Sequence, residues 1–529
     1  MSCRFVLAAR ITGGKLKEKK KEGGNEELLP VNIFVHGGSY QGGVGAMFDG
    51  SFLALEGIIV VNFNYRLGPL GFLTSPNHGI SGNYGMLDQI AAFRWVNENI
   101  RHFGGDPNRI TIDGHSAGGA SVGLHLISPL SKGLFNRVIQ QSGTPLAHWA
   151  VSSMGDKSDF YDELFLLSVH CAKNTTHNVK ACLKSIDTEK LKKIILYELK
   201  WLSNISPSFT PVIDGYFLPD HPAKMLQTYP LNAHQFFTGT TRDEGSSFAA
   251  YLLSDMDVKA SSMKSLLKIM NCFCGYLPGV SGIVGSVLQH YLPWPYEAGN
   301  ETVILQMFSE LMGDYYITAP TQVNADTLQA RNITVYFYHF SYISELSHFT
   351  SILHGSELFY LIGAPLGGHA NFRYDNRDRM MSRYLIRLWA TFIKQGLPSL
   401  MSLKNFYIDR YTTEKPIYAL ITKNQRGEPH IEMNIRFKPK KMAFWNKIVP
   451  ELRRRDLHFA NYEKNPYERR LPRDSIEPDP AWGLMTACIL LSILVVVLAV
   501  FYCRTRHLVK RLLRQSSVSS GTCMINHVN

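Results

Sequence analysis

Arg109-Ile110-Thr111-Ile112-Asp113-Gly114-His115-Ser116-Ala117-Gly118-Gly119-Ala120-Ser121-Val122 runs from β-branched residues through a G-x-S-x-G turn into a chain of small residues. Residues branched at Cβ favour an extended backbone, so Arg109 to Ile112 predicts a strand, and Ala117 to Val122 a helix that opens directly after it. A nucleophile held on so sharp a strand-to-helix turn needs glycine on both sides, because side chains there would collide with neighbouring backbone. The helix N-terminus adds positive potential beside the attacking oxygen. A bare G-x-S-x-G arises often by accident; set between a strand and a helix it predicts an elbow with Ser116 as the nucleophile.

Working outward, short β-rich runs alternate with helical stretches. The runs are Val31-Asn32-Ile33-Phe34-Val35, Gly57 to Phe63, Ile110 to Ile112, Val138-Ile139, Phe236-Phe237 and Val335 to Tyr338. Between the second and third, Met86 to Ile100 places Leu87, Ile90, Ala91, Trp95 and Val96 at helical spacing. Strands alternating with helices predict an α/β fold, a mostly parallel central sheet with helices on both faces. No internal repeat is evident.

The first run ends in His36-Gly37-Gly38-Ser39. Acyl transfer builds negative charge on a carbonyl oxygen, so fixed backbone N–H donors must face it, and glycine lets backbone come close. Gly37, Gly38 and Ser39 are assigned as that loop, with the N–H of Ala117 as the other donor. In the chain order nucleophile, acid, base, Asp243 and Glu244 lie just beyond the run at Phe236-Phe237, and His348 and His354 beyond the run at Val335. Periodicity does not choose within either pair.

With 529 residues, 45% hydrophobic and 19% charged, the chain can bury a large core. The net charge of +12 sits mostly in two short runs, Lys15 to Lys21 and Arg504 to Arg514. The body between them is near neutral, which argues against a nucleic-acid partner. No His-Glu-x-x-His and no cysteine quartet at zinc spacing occurs, so neither a metal nor a cofactor is expected.

Ala481 to Cys503 carries no charge, enough residues for one C-terminal transmembrane helix across ~30 Å of hydrocarbon. Five Lys and Arg residues follow it and Arg469, Arg470 and Arg473 precede it, which favours a cytoplasmic tail at residues 504–529. Residues 451–480, rich in Arg, Glu, Pro and Asp, read as a stalk, residues 30–450 as the folded domain and 1–29 as a polar lead-in. Sequons at Asn174, Asn204, Asn300 and Asn332 agree with an extracellular domain on a single-pass plasma-membrane protein. In that compartment Cys171 and Cys182 are placed to close a short disulfide loop. Met1 to Arg10 has only a very short apolar run, so either the membrane helix directs its own insertion or this start is not the native one.

Gly82-Asn83-Tyr84-Gly85-Met86-Leu87-Asp88-Gln89, Trp95 to Ile100, Phe103-Gly104-Gly105-Asp106-Pro107 and Asn64-Tyr65-Arg66-Leu67-Gly68 resemble hallmark runs of the type-B carboxylesterase and cholinesterase family, whose fold is the α/β-hydrolase. Gly133-Leu134-Phe135, Gln141-Ser142-Gly143-Thr144 and Phe444-Trp445-Asn446 add to the likeness, which covers roughly residues 30–450. The resemblance implies Ser116 as nucleophile, Glu244 as acid and His354 as base, acting on a small carboxylic ester through an acyl-enzyme. It implies an acyl pocket bordered by Trp149, and a family disulfide in Cys171 with Cys182. His36 to Tyr40, Met47 to Ser51 and Lys441 to Trp445 are similar to neuroligins, adhesion proteins on the same fold, which implies the alternative of an extracellular protein partner and little catalysis. His115 stands where cholinesterases carry a carboxylate, which disfavours a cationic choline ester. The family's leading segment has no counterpart here, so an incomplete chain is expected.

Overall fold

The apolar runs become neighbours in a nine-stranded sheet. In a computed structural model its strands are β1 Cys3–Val6, β2 Leu29–Val35, β3 Ile59–Phe63, β4 Gly105–His115, β5 Arg137–Gln141, β6 Gln235–Thr241, β7 Thr334–Phe340, β8 Ile417–Lys423 and β9 Pro429–Ile435. The structure describes residues 3–6, 27–152, 157–171, 178–195, 209–255, 283–292, 301–347, 351–367, 373–400, 406–452 and 454. All belong to the unit Met1–Leu457. The stalk beyond 454, residues 481–503 and the tail lie outside the described residues, among which no helix is long and apolar enough to cross a membrane.

Across the sheet the strands run β1-β3-β2-β4-β5-β6-β7-β8-β9. The seven from β3 to β8 are mutually parallel, while β1 pairs antiparallel with β3 and β9 with β8. This is the α/β-hydrolase arrangement expected from the alternating runs. Crossover helices include α1 Tyr84–Asn99, α2 Ala117–Ile127, α3 Ser246–Asp255, α4 Ser356–Leu361 and α5 Asn376–Gln395. Cys3–Val6, at the start of the stretch read as a lead-in, adds the first edge strand.

Side chains along a strand alternate between faces, and the sheet therefore feeds two cores. Ile33, Val35, Ile112, Val138 and Phe236 pack into one layer with α1 and α2. Phe34, Val60, Ile139, Phe237 and Tyr338 pack into the other against Leu385 and Trp389 of α5. Apart from β3, which begins at Ile59 rather than Gly57, the strands are longer than the runs that announced them, because flanking polar residues, such as Thr240 and Thr241 in β6, are also buried. The face of α1 differs from expectation. Ile90 and Val96 are buried, but Ala91 and Trp95 are exposed, and the buried stripe passes through Met86, Gln89 and Phe93. Gln89 can enter the core because its amide meets His125 Nε2 at 2.9 Å and Ser121 Oγ at 3.4 Å.

The chain leaves β2 for β3 on one side and β4 for β5 on the other, so the winding reverses between β2 and β4. In open parallel sheets ligands bind beyond the C-terminal ends of the strands at such a reversal. Val35 of β2 lies beside Gly114 of β4, which sets His36-Gly37-Gly38 next to His115-Ser116.

Candidate active site

Ser116 adopts φ 59° and ψ −122° at the turn from β4 into α2, a left-handed backbone that a non-glycine residue holds only under tertiary constraint. Its N–H donates to Gln141 O at 2.9 Å. The glycines around it are obligatory. A Cβ on Gly118 would lie 2.0 Å from Val35 O, one on Gly114 2.3 Å from Gly118 O, and one on Gly143 2.0 Å from Ser116 O. From Ile110 to Ser128 every residue is buried except Ser116, so the fold spends its packing on the turn and leaves its serine reachable.

The His36-Gly37-Gly38-Ser39 loop abuts this turn. A Cβ on Gly37 would sit 2.5 Å from His115 O and 2.9 Å from Ser116 Cβ. Gly38 has φ +116°, and Ser39 and Tyr40 follow at 56° and 60°. Such a succession of left-handed residues turns backbone amides toward one side of a loop. Tyr65 Oη donates to His36 O at 2.8 Å and its ring stacks on the His36 ring at 4.4 Å, fixing the loop's entry. Burial holds the His36 imidazole below its ordinary range, hence uncharged at neutral pH. Ala117 begins α2, where geometry leaves the first N–H groups without intrahelical acceptors.

Glu244 follows β6 and is 1% exposed. One carboxylate oxygen, Oε2, receives His354 Nδ1 at 2.5 Å; the other accepts from Thr241 N–H at 2.7 Å and Ser142 Oγ–H at 2.6 Å. Glu244, rather than Asp243, is therefore the partner of His354, whose other nitrogen, Nε2, is buried without a hydrogen-bond partner. Ser116 and His354 are thus not hydrogen-bonded to each other in this structure. His348 lies outside the described residues.

Around this pair the site is aromatic and low in charge. His115 is buried with its ring centroid 4.5 Å from that of His354. Burial, with the neighbouring His354 second, keeps it well below the ordinary imidazole range and so neutral. Phe248 of α3 lies 5.6 Å from His354, ring to ring. Trp149 is buried, donates Nε1–H to Tyr316 O at 2.9 Å and faces Tyr40 at 6.5 Å. Among the described residues no three His, Cys, Asp or Glu side chains gather as a metal site.

Sequence reasoning passed over Ser142, whose hydroxyl braces Glu244. The available signal was positional: Ser142 directly follows β5 and Glu244 comes three residues after β6, at the same ends of adjacent parallel strands. It also passed over Asp113, a buried carboxylate on β4 held by Gln141 Nε2 at 2.7 Å and Asn32 Nδ2 at 3.3 Å. Elsewhere Cys171 and Cys182 are joined as a disulfide with Cα atoms 5.8 Å apart. Asn332 is exposed at the turn before β7, while Asn174, Asn204 and Asn300 lie outside the described residues.

One family profile, described as the carboxylesterase family, matches residues 17–445, a stretch that holds Ser116, Glu244 and His354. The chain belongs to the carboxylesterase family. Within it, mouse (Mus musculus) neuroligin-2 is 32% identical over 461 residues, covering 84% of this chain and 54% of neuroligin-2. Mouse cholinesterase is 34% identical over 377 residues, covering 70% and 62% of the two chains. Acetylcholinesterase of Bungarus fasciatus is 32% identical over 432 residues, covering 80% and 70%. The chain spans about half the length of neuroligin-2. This carboxylesterase-family chain thus resembles relatives named as esterases and relatives named as neuroligins to a similar degree.

Proposed function

We propose that this protein is a membrane-anchored serine carboxylic ester hydrolase acting through an acyl-enzyme. The observation that supports it is the part-buried 2.5 Å contact between Glu244 and His354 Nδ1, with Nε2 left unpartnered, in a fold whose one accessible elbow residue is Ser116. His354 Nε2 takes the proton of Ser116 Oγ as the oxygen attacks the ester carbonyl, and Glu244 stabilises the imidazolium that forms. The oxyanion falls to the backbone amides of Gly37, Gly38, Ser39 and Ala117. His354 then protonates the departing alcohol, and a water repeats the sequence on the acyl group borne by Ser116. Trp149 borders the space for that group. His115, neutral beside the base, supplies no negative charge, which suits uncharged esters better than cationic ones. In this reading residues 481–503 anchor the domain, and the sequons agree with a domain outside the cell.

A fluorophosphonate probe tests this on the full chain displayed at the cell surface. Labelling of the wild type that vanishes in Ser116→Ala is expected. Folded wild-type protein that takes no label overturns the hydrolase reading and supports the second one, an ectodomain that binds an extracellular protein partner. That second reading draws on the neuroligin-2 match over 84% of the chain and on the absent hydrogen bond between Ser116 and His354.

A further inference from the structure

His354 lies 14 residues along the connection that leaves β7 at Phe340, at the turn that opens α4. The acid is different: Glu244 comes three residues after β6 ends. A hydrogen bond of 2.5 Å between side chains on two such segments requires that the segments themselves be registered.

Asp243 makes that registration. Its backbone N–H donates to Ile352 O at 3.2 Å, and its carboxylate Oδ2 accepts the Ile352 N–H at 2.8 Å. The two bonds form a closed ring between the residue just before the acid and the residue two before the base. Arg242 steadies the same carboxylate, with Nε 3.1 and 3.0 Å from its two oxygens and Nη2 2.6 Å from Oδ2. The Arg242 N–H donates to Phe340 O at 3.0 Å, tying the acid's loop to the start of the base's connection. Ile352 is 2% exposed in the core layer that contains Phe340 and Tyr360, so the tether ends on packed side chains rather than on a loose loop. A mere turn at Asp243 is served by its backbone alone, through the Ser246 N–H donated to Asp243 O at 3.0 Å; the carboxylate is surplus to that.

We propose that Asp243 is a positioning residue for the base: a latch between the acid and base loops that holds the His354 ring against Glu244. The inference rests on the hydrolase reading above. It also explains why two adjacent carboxylates occur here, one to orient the imidazole directly and one to hold its loop.

The test compares Asp243→Ala with Asp243→Asn in the full detergent-solubilised chain. Asn keeps an oxygen for the Ile352 N–H; Ala removes it. Ala is expected to lower kcat up to about 100-fold, the order of loss when reacting groups are misplaced by about 1 Å, with KM changed less than about threefold and most of kcat recovered in Asn. An Ala variant with unchanged kcat, or an Asn variant as impaired as Ala, overturns the latch. Activity is not the sole readout. The low-field proton resonance of His354 Nδ1–H, assigned by its loss in His354→Gln, should weaken in Asp243→Ala and return in Asp243→Asn. Its persistence in Ala overturns the proposal even in a protein that hydrolyses nothing. Wild-type protein without hydrolysis or fluorophosphonate labelling, yet with that resonance lost only in Ala, defeats the hydrolase reading and leaves the latch standing.

Discussion

Two carboxyl groups, Asp113 and Glu357, lie buried behind the site, and neither forms an ion pair among the described residues. Burial pushes Asp113 up to about 7 and Glu357 up to about 8, the latter also through repulsion by Glu244, against ordinary values near 4. The folded state therefore holds protons that the unfolded chain releases. Stability from these groups is complete below about pH 4, is lost as pH rises, and is gone above about pH 7 for Asp113 and pH 8 for Glu357. Asp113→Asn cannot ionise, and the unpartnered Oδ1 of Asn32 and Oε1 of Gln141 are ready acceptors for its new amide. Its melting temperature should gain on the wild type between about pH 4 and about pH 7 and hold that lead above it; parallel curves across that range would refute the assignment. Sequence inspection had no access to this, since an aspartate beside a G-x-S-x-G motif looks like any polar residue until both faces of its strand are covered.

At the scale of elements, glycine in a helix has opposite meanings in two places. Gly118, in the first turn of α2, faces Val35 O, and an added Cβ would approach to 2.0 Å. Gly285, in the helix Val284–Tyr291, has nothing within 4 Å of the same position. Gly118→Ala is therefore expected to cost about 3 kcal/mol from overpacking against β2, while Gly285→Ala should stabilise by up to about 1 kcal/mol through helix propensity. Denaturant titration of the two variants checks the sign of each. A tolerated Gly118→Ala would mean that α2 can move away from β2, contrary to so tight an elbow. The strand-turn-helix element itself was plain in the chain, because β-branched residues, paired glycines and small helix formers follow one another within a few positions. The buried face of α1 was less plain, as it includes Gln89, which enters the core only when His125 and Ser121 offer partners.

For the whole molecule, the 23 uncharged residues from Ala481 to Cys503 make an anchoring claim that experiment can check directly. The full chain expressed in animal cells should remain with membranes through alkaline carbonate extraction. A variant ending at Leu457, the close of the unit that carries the sheet, should appear in the soluble fraction. Release of the full chain by carbonate would remove the anchor from the proposed function. Topology at this scale explains the site's location: the reversal of winding between β2 and β4 brings residues 37 and 116 together although 79 positions separate them.

Taken alone, the amino-acid order determined the class of fold, the elbow at Ser116 and the chemical type of the groups expected around it, since each depends on residues adjacent in the chain and on local backbone preference. The tertiary structure joined Glu244, which the family resemblance had implied over Asp243, to His354, placed a neutral His115 against that ring and gave Asp113 its burial. Those outcomes depend on which segments become neighbours and how much water their packing expels, and both are fixed only when distant strands of one sheet close over the same core.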